Sequence, residues 1–335
     1  MTAYDMIILG LGPAGAYLGH RATARGLRVL GIDPVTTWSA TYGGWVDELV
    51  DVPLAHRCYP SVRFGGLGYR LDREYGIVDS KAWREQLLDF EVLRATGDVL
   101  SANHVTAGGQ EYMADVVVDA RGLAPTPPLQ QALGWFLDDG PQTWMDFGTD
   151  SFLYSFPTRN GHLVEETYLA IDEPVAWEVL EDKLRKRFPD TEVRGVERVS
   201  ISLAGHDSPG PALGYGARAG FVNPISGFSL GTSISMAEPT LDALWGEGKL
   251  PWRTPRFKLD RALAMRLQLV LLKLEPLQLQ ELLRALLLSP FHARFLTLGD
   301  LGGTLAGMAW VFARVSLGTK MAILKALTTQ KSPDL

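Results

Sequence analysis

The sequence predicts an α/β fold with three parts. Residues 4–33 have the pattern of a strand, a glycine-rich turn, a helix and a second strand, which is a βαβ unit of the Rossmann type. Residues 152–169 have the pattern of two strands joined by a turn over 157–161, which indicates a hairpin in a second, interleaved β-sheet. From about residue 228 the pattern is mostly helical and is interrupted at prolines.

These observations predict the domain boundaries. Residues 1–123 and 205–245 form a discontinuous nucleotide-binding domain, and residues 124–204 form a sheet domain for the substrate. Residues 246–335 form a helical region that faces the substrate or a membrane. The chain has 335 residues, of which 46% are apolar, so it is long enough to bury a substantial core.

Composition excludes several classes of function. There are 32 Lys and Arg against 38 Asp and Glu, a net charge of −6, which does not fit a generally basic nucleic-acid binder. The single cysteine, Cys58, cannot form an internal disulfide, and the six histidines show no metal-ligand spacing, so we expect no metal site. The first residues do not resemble a signal peptide, and no stretch carries 18 uninterrupted apolar residues, so we expect a cytoplasmic protein that does not span a bilayer.

The turn after the first strand predicts a dinucleotide site. It is formed by Gly10, Gly12, Pro13, Ala14 and Gly15. Glycines there permit a tight turn, close approach of the backbone to a pyrophosphate, and close packing of the helix on the sheet. Asp33 ends the second strand and can accept hydrogen bonds from a ribose, so strand, helix and acid all stand where such a site needs them.

Two later segments extend this site. A stretch rich in glycine and aromatic residues, 41–49, includes Trp45 and follows the βαβ unit. In a compact NAD dehydrogenase, helices and strands would continue to alternate regularly at this point. An apolar strand, residues 114–118, then stops at Asp119 and Gly122, as at the carboxyl end of a sheet that meets a cofactor. Standing alone, this second segment would be equally compatible with a simple exit from a strand into a turn.

Several segments together resemble the lycopene cyclase family of flavoproteins, and they occur in the same order along the chain. They are GLGPAG (10–15), TYGGWVDEL (41–49), REYGIVD (73–79), VVVDARG (116–122), QQALG (130–134), FLYSFPT (152–158), HLVEET (162–167) and GYGARAGFVNPISGFS (214–229). The HLVEET and GYGARAGFVNPISGFS segments are the more specific ones, although NPISGF stands where the family has His-Pro-Ala-Thr-Gly-Tyr.

The resemblance implies an FAD-binding Rossmann-type (GR2-like) fold and FAD that acts in its reduced form, with NAD(P)H as the electron source. The reaction it implies has no net redox change: the ψ-ends of lycopene cyclise to β-rings. The acidic motif of the family falls on Glu165 and Glu166, with Glu165 as the acid, and the last segment adds Gly220, Pro224 and Gly227 to the cofactor residues. Asp47 or Glu48 could position the acid or take the final proton, or both could be polar loop residues beside the flavin.

Protonation of an unactivated alkene needs a carboxylic acid that keeps its proton near neutral pH. A desolvated, apolar pocket achieves this by penalising the carboxylate. A carbocation then needs negative charge and π-faces nearby, which a reduced flavin with Trp45, Tyr42 or Tyr154 could supply. Because successive side chains of a strand point to opposite faces, at most one of Glu165 and Glu166 should enter the cavity.

The leucine-rich helical region suits contact with a lipid surface. Residues 256–296 carry seven basic and three acidic side chains, a net charge of +4, whereas the rest of the chain has −10. A basic, apolar surface fits a peripheral membrane contact from which a polyene could enter, although leucines at mixed spacings favour helices that are mainly buried. The oligomeric state is left open.

The sequence suggests three alternatives to the cyclase, of which the first two remain open. The first is a redox flavoenzyme, either an isoprenoid reductase or a monooxygenase; the Gly214-Tyr215 pair argues against a hydroxylase, which carries Gly-Asp there. The second is a cyclase of the same fold that acts on a non-carotenoid polyene. The third is an α/β hydrolase, suggested by the G-x-S-x-G at 227–231 with Asp260 and His292, and it fails because no strand immediately precedes Ser229.

Overall fold

A computed structural model describes residues 3–35, 37–204, 210–246 and 248–328. In chain order the strands are β1 (Ala3–Leu9), β2 (Val29–Ile32), β3 (Gly43–Trp45), β4 (Leu54–Cys58), β5 (Ser61–Phe64), β6 (Leu67–Arg70), β7 (Tyr75–Val78), β8 (Glu91–Leu93), β9 (Gly97–Ser101), β10 (His104–Ala107), β11 (Gln110–Asp119), β12 (Leu129–Leu137), β13 (Thr143–Phe147), β14 (Phe152–Thr158), β15 (Gly161–Ile171), β16 (Gly195–Ser202) and β17 (Leu213–Gly214). The α-helices are α1 (Pro13–Ala24), α2 (Ser80–Leu87), α3 (Trp177–Arg187), α4 (Leu230–Trp245), α5 (Pro255–Lys273), α6 (Pro276–Leu287), α7 (His292–Phe295), α8 (Leu301–Arg314) and α9 (Leu317–Thr328).

The first sheet contains the predicted βαβ unit. Its order is β8-β2-β1-β11-β10-β9, with β17 beside β11, and the central pairs β2–β1 and β1–β11 are parallel. Met6, Ile7 and Ile8 of β1 are fully buried, as expected for a parallel strand covered on both faces. Pro13 occupies the first turn of α1, where a missing N–H costs nothing, so the helix begins directly after the glycine-rich turn.

The second sheet holds the predicted hairpin. Its order is β16-β12-β15-β14-β13-β5-β6. The hairpin turn is tighter than the sequence predicted, because Pro157 and Thr158 still pair with His162 and Gly161. Helix α3 covers one face of this sheet through Leu180 and Leu184. The sheet also includes β5 and β6, which come from within residues 1–123 and join it through long-range pairing with β13.

The remaining elements connect the two sheets. Strands β3, β7 and β4 form a small third sheet. Within residues 205–245, β17 pairs with β11 and α4 packs on α1, while residues 205–209 lie outside the described residues.

The helical region follows the prolines of the sequence. Pro255 and Pro276 begin α5 and α6 at their first helical positions, so these predicted interruptions are helix starts. Residues 247 and 329–335 of the region lie outside the described residues. Within the described ranges, no helix is both long and apolar enough to cross a membrane.

Candidate active site

Two adjoining cavities lie between the sheets. The first, here called the nucleotide cleft, has a volume of about 460 Å³ and opens at the carboxyl ends of β1, β2 and β11. The second, here called the apolar cavity, has a volume of about 360 Å³ and lies against the second sheet. They share the wall residues Tyr42, Ala217, Ser229 and Leu230, so a ligand in the cleft can reach the apolar cavity.

The glycines of the nucleotide cleft have two separate tasks. A Cβ atom at Gly12 or at Gly122 would meet no other protein atom within 4 Å, so both positions leave open space in the cleft. A Cβ at Gly15 would lie 2.1 Å from the carbonyl oxygen of Gly10, so Gly15 is needed for packing of the helix on the turn. Gly10 itself has a φ of +91°, which favours glycine. The cleft therefore has the backbone cradle that an elongated phosphate ligand needs.

Asp33 lines the cleft together with Pro13 and Ala14. Its carboxylate accepts hydrogen bonds from the backbone N–H of Leu11 at 2.5 Å and of Val35 at 2.7 Å. Each carboxylate oxygen has a further lone pair, so Asp33 can still accept a hydrogen bond from a ribose hydroxyl.

Other residues that the sequence assigned to the cofactor lie outside the cleft. Asp119 is buried and forms ion pairs with Arg121 at 2.8 Å and Arg218 at 3.6 Å. Gly220 ends a 3₁₀ turn with a φ of 75°. The carbonyl oxygen of Pro224 accepts a hydrogen bond from Gln268.

Two further cofactor candidates lie at or behind the apolar cavity. Gly227 lines this cavity, where a Cβ would lie 2.4 Å from Oε1 of Gln130. Trp45 is 1% exposed and packs edge-on against Tyr75 and Trp144, which line the cavity, so its ring lies behind the wall.

The apolar cavity is built on one face of β15. Leu163, Glu165, Thr167 and Leu169 all line it, which is the two-residue period of a strand. Aromatic side chains and leucines of the helical region enclose the rest of the space. They are Tyr42, Tyr75, Trp144, Phe152, Tyr154 and Phe228, with Leu283, Leu286, Leu287 and Leu296.

Glu165 is the acidic residue that faces this cavity. Its carboxylate accepts a hydrogen bond from Oγ1 of Thr167 at 3.0 Å. Burial among apolar groups and, second to it, the neighbouring carboxyl of Glu197 together raise the pKa of Glu165 to about 8, although the hydrogen bond from Thr167 opposes the shift. Glu165 therefore holds its proton at neutral pH and can act as an acid toward a bound apolar ligand.

Glu166 lies on the opposite face of the same strand. It is 1% exposed and forms an ion pair with Arg187 of α3 at 2.8 Å. Oγ of Ser151 donates a second hydrogen bond to its carboxylate. Glu166 therefore ties the sheet to α3 and has no access to the apolar cavity.

Asp47 and Glu48 also lie outside the lining of the apolar cavity. Asp47 is largely exposed and pairs with Arg73 at 2.9 Å. Glu48 accepts hydrogen bonds from Arg73 and from Oγ1 of Thr297, both at 2.7 Å. Both carboxylates thus bind groups beside the helical region, and neither contacts Glu165.

Sequence reasoning did not single out Glu197, a second buried carboxyl near Glu165. It lies on β16, and Thr41 of the loop after β2 donates two hydrogen bonds to it. Glu197 lies in the strand GVERVSIS, and no recognisable motif in this strand pointed to it as a functional residue. The alternation of this strand was a usable signal, since Glu197, Val199 and Ile201 share a face and the latter two line the cavity.

The structure does not assemble the hydrolase triad. Ser229 lies in the wall between the cavities, directly before α4. Asp260 accepts a hydrogen bond from the backbone N–H of Gly299, and Nδ1–H of His292 donates to the carbonyl oxygen of Ser289. Among the described residues, no group of three or more His, Cys, Asp or Glu side chains could hold a metal ion.

Comparison with protein sequences identifies relatives along most of the chain. The sequence model of the family described as "Lycopene cyclase protein" matches residues 5–272. A lycopene beta cyclase of Synechococcus elongatus is 27% identical over 295 residues, covering 72% of this chain and 72% of that protein. An uncharacterized carotenoid cyclase of Deinococcus radiodurans is 28% identical over 286 residues, covering 72% of this chain and 70% of that protein.

Comparison with solved structures identifies the fold. A geranylgeranyl bacteriochlorophyll reductase-like protein of Thermoplasma acidophilum superposes with a TM-score of 0.64 at 14% identity, covering 98% of this chain and 96% of that one. A flavin-dependent brominase superposes with a TM-score of 0.58 at 15% identity, covering 98% and 100%. The predicted α/β fold of the FAD-binding Rossmann type is thereby confirmed.

Proposed function

Because the chain belongs to the lycopene cyclase family, we propose that it closes the linear ψ-ends of lycopene, or of a related polyene, into β-rings. One observation carries this proposal. A carboxyl group that keeps its proton at neutral pH, Glu165, lies in the wall of a mainly apolar and aromatic cavity beside a nucleotide cleft. A hydrocarbon offers no polar group to activate, so an acid of this kind is what its cyclisation requires.

In the proposed reaction Glu165 transfers its proton to a terminal double bond of the polyene. The carbocation that results is attacked by a neighbouring double bond, which closes the ring. Loss of a proton from a ring carbon then forms the ring alkene, so one proton enters and one leaves, and no electrons are consumed. Tyr42, Trp144 and Phe228 line the cavity, and their π-faces can stabilise the cation.

The nucleotide cleft supports FAD as the cofactor, with Gly12, Gly122 and Asp33 as its binding residues. When bound in its reduced form, FAD would supply negative charge and a π-face at the wall shared by the two cavities. We expect NAD(P)H to be the source of its electrons. Asp119, Gly220 and Pro224 would support the cofactor domain from outside the cleft.

Product mass tests this function directly. Purified protein is incubated with lycopene, reduced FAD and lipid vesicles, and the pigments are separated by chromatography. A cyclase leaves the mass of the substrate unchanged, whereas a reductase adds two hydrogens and a monooxygenase adds oxygen. Consumption of reducing equivalents in proportion to product would contradict the proposal, as would full turnover in protein from which flavin has been removed.

We also propose that the helical region contacts an anionic membrane. Leu277 of α6 is 80% exposed, and Leu317 and Met321 of α9 are 75% and 60% exposed. Helix α6 contacts α9, and its inner leucines Leu283 and Leu286 line the apolar cavity. This helix therefore offers one end to a lipid surface and its inner side to the substrate.

Co-sedimentation with vesicles of anionic lipid tests the contact. The double variant Leu277→Ser, Leu317→Ser should bind vesicles several-fold more weakly, because it removes exposed apolar area. Leu67→Ser is the matched control, since Leu67 is 60% exposed on β6 in the second sheet. Equal binding by the double variant and the parent would refute this surface.

A further inference from the structure

Two buried carboxyl groups occupy one row of the second sheet. Gly134 of β12 pairs with Glu165 of β15 on one side and with Glu197 of β16 on the other. Tyr154 of β14 pairs with Glu165 and extends the row. Directly paired residues of an antiparallel sheet point to the same face, so Glu197, Glu165 and Tyr154 all point to the face that carries the apolar cavity.

Gly134 places no side chain of its own between the two acids, and side chains of β15 lie close to its Cα atom instead. A Cβ at this position would lie 3.5 Å from Cβ of Glu165 and 2.6 Å from a methyl group of Leu163. The strands that carry the two acids are separated by one strand, so their backbones are roughly 10 Å apart. Because glutamate side chains are long and Gly134 has none, the two carboxyls interact across this gap.

Thr41 holds the carboxyl group of Glu197 in place through two hydrogen bonds. The backbone N–H of Thr41 donates to one oxygen at 2.8 Å, and Oγ1 of Thr41 donates to the other at 2.7 Å. From this position the carboxyl of Glu197 acts on the acid two strands away.

We propose that Glu197 is a positioning residue for the cyclisation proposed above, and that its carboxylate, held by Thr41, keeps the proton on Glu165. This inference rests on the proposed function for its role in catalysis. The electrostatic interaction between Glu197 and Glu165 can be measured without any substrate.

The pKa shifts of Glu165 and Glu197 agree with the proposal that Glu197 keeps the proton on Glu165. The pKa of Glu165 is raised first by burial and then by Glu197. Burial also raises the pKa of Glu197, but both hydrogen bonds from Thr41 oppose that shift, so Glu197 ionises before Glu165. Two like charges at this separation disfavour simultaneous ionisation, which leaves the proton on Glu165.

The other titratable groups around the pair stay neutral. They are Tyr154 of β14, Tyr75 of β7, Tyr42 of the loop before β3, and Cys58 of β4 behind Tyr75, and burial raises the pKa of each one. Thr167 donates its hydrogen bond to Glu165 and carries no charge. Glu197, by contrast, accepts two hydrogen bonds from Thr41 that favour its ionised form.

Removal of this charge tests the proposal. Infrared titration of protein with ¹³C-labelled glutamate follows the carboxylic acid band of Glu165 against pH. In Glu197→Gln the midpoint of this titration should fall by roughly one pH unit, because Gln keeps the size but not the charge. In the cyclase assay the alkaline limb of kcat/KM should fall by the same amount, so activity at pH 8 drops several-fold while activity at pH 6 stays within about two-fold.

The control is Glu111→Gln, which removes an exposed carboxylate of β11 in the first sheet and should leave the midpoint unchanged. An unchanged midpoint in folded Glu197→Gln overturns the proposal. If the midpoint shifts but no polyene is cyclised, the proposed function is refuted and the interaction between the two carboxyls is supported. If a polyene is cyclised but the midpoint does not shift, the function is supported and the interaction is refuted.

A second variant covers the case in which Glu197→Gln does not fold. In the parent protein the two glutamates of the row should titrate in two separate steps, the lower from Glu197 and the upper from Glu165. Glu165→Gln should remove only the upper one. If the upper titration persists in Glu165→Gln, Glu197 is the group that retains the proton, and the proposal is wrong.

Discussion

Glu165 and Glu166 are neighbours in β15, yet their carboxyl groups lie on opposite faces of the second sheet. Glu165 faces the apolar cavity, whereas Glu166 forms its ion pair with Arg187 beneath α3. The alternation of a strand separates two chemically identical side chains into an acid that can meet a substrate and an anchor for a helix. Substitutions of the two should therefore have different consequences.

Glu165→Gln should abolish ring formation and leave the bound flavin unchanged. The amide has no acidic proton to give, and Glu165 does not line the nucleotide cleft. Chromatography of the pigments measures the first effect, and the visible spectrum of the protein measures the second. Substantial cyclisation by this variant would show that another group is the acid.

Glu166→Gln should lower stability more than activity. It leaves Arg187 without its 2.8 Å ionic partner, although Arg187 keeps Asp146 nearby and is partly exposed. We expect a loss of about 1–3 kcal/mol in the free energy of unfolding. Urea titration measures this loss, and activity per folded protein should remain near that of the parent. A variant as stable as the parent would mean that the ion pair contributes little.

Cyclisation should decline as the pH rises through about 8, because the proposed donor works only while it is protonated and its pKa lies near that value. An ordinary glutamate would already be ionised at pH 6. The pH profile of kcat/KM measures the position of this limb. A limb near pH 4.5 would contradict the assignment of a desolvated acid.

The same carboxyl should make stability depend on pH. The folded-state pKa of Glu165 is raised to about 8 from an ordinary value of 4.5, so between these values the folded protein binds more protons than the unfolded chain. The contribution of this group to stability is complete below about 4.5 and is lost as the pH rises through about 8.

Glu165→Gln should therefore unfold at a higher temperature than the parent at pH 8, and the difference should shrink toward pH 5. Scanning calorimetry at both values measures it. A difference independent of pH would indicate a packing effect instead.

Gly12→Val should prevent retention of FAD without unfolding the protein. A Cβ at Gly12 meets no protein atom within 4 Å, so the side chain enters the space of the cleft itself. Flavin content per protein, with a thermal melt, measures both outcomes. Gly15→Val is the contrasting variant, because its Cβ would lie 2.1 Å from the carbonyl oxygen of Gly10 and should disrupt the fold. Full flavin content in folded Gly12→Val would contradict the site.

Features set by neighbours in the chain could be predicted from the sequence. The βαβ unit with Gly12 and Asp33, the hairpin around 157–161, and the interruptions of the helical pattern at Pro255 and Pro276 all depend on local backbone preferences and on side-chain periodicity. That at most one of Glu165 and Glu166 could enter the cavity also followed from strand geometry alone.

Features set by long-range pairing were decided only by the tertiary structure. Strands β5 and β6 join the second sheet, Trp45 lies behind the cavity wall, and Glu197 comes to the other side of Gly134 from Glu165. Their positions depend on which strands pair and in which register, and the amino-acid pattern of a single strand does not contain that information. The place of Glu165 and Glu166 on one strand could thus be predicted from the chain, whereas the place of Glu197 across Gly134 from Glu165 was decided by the fold.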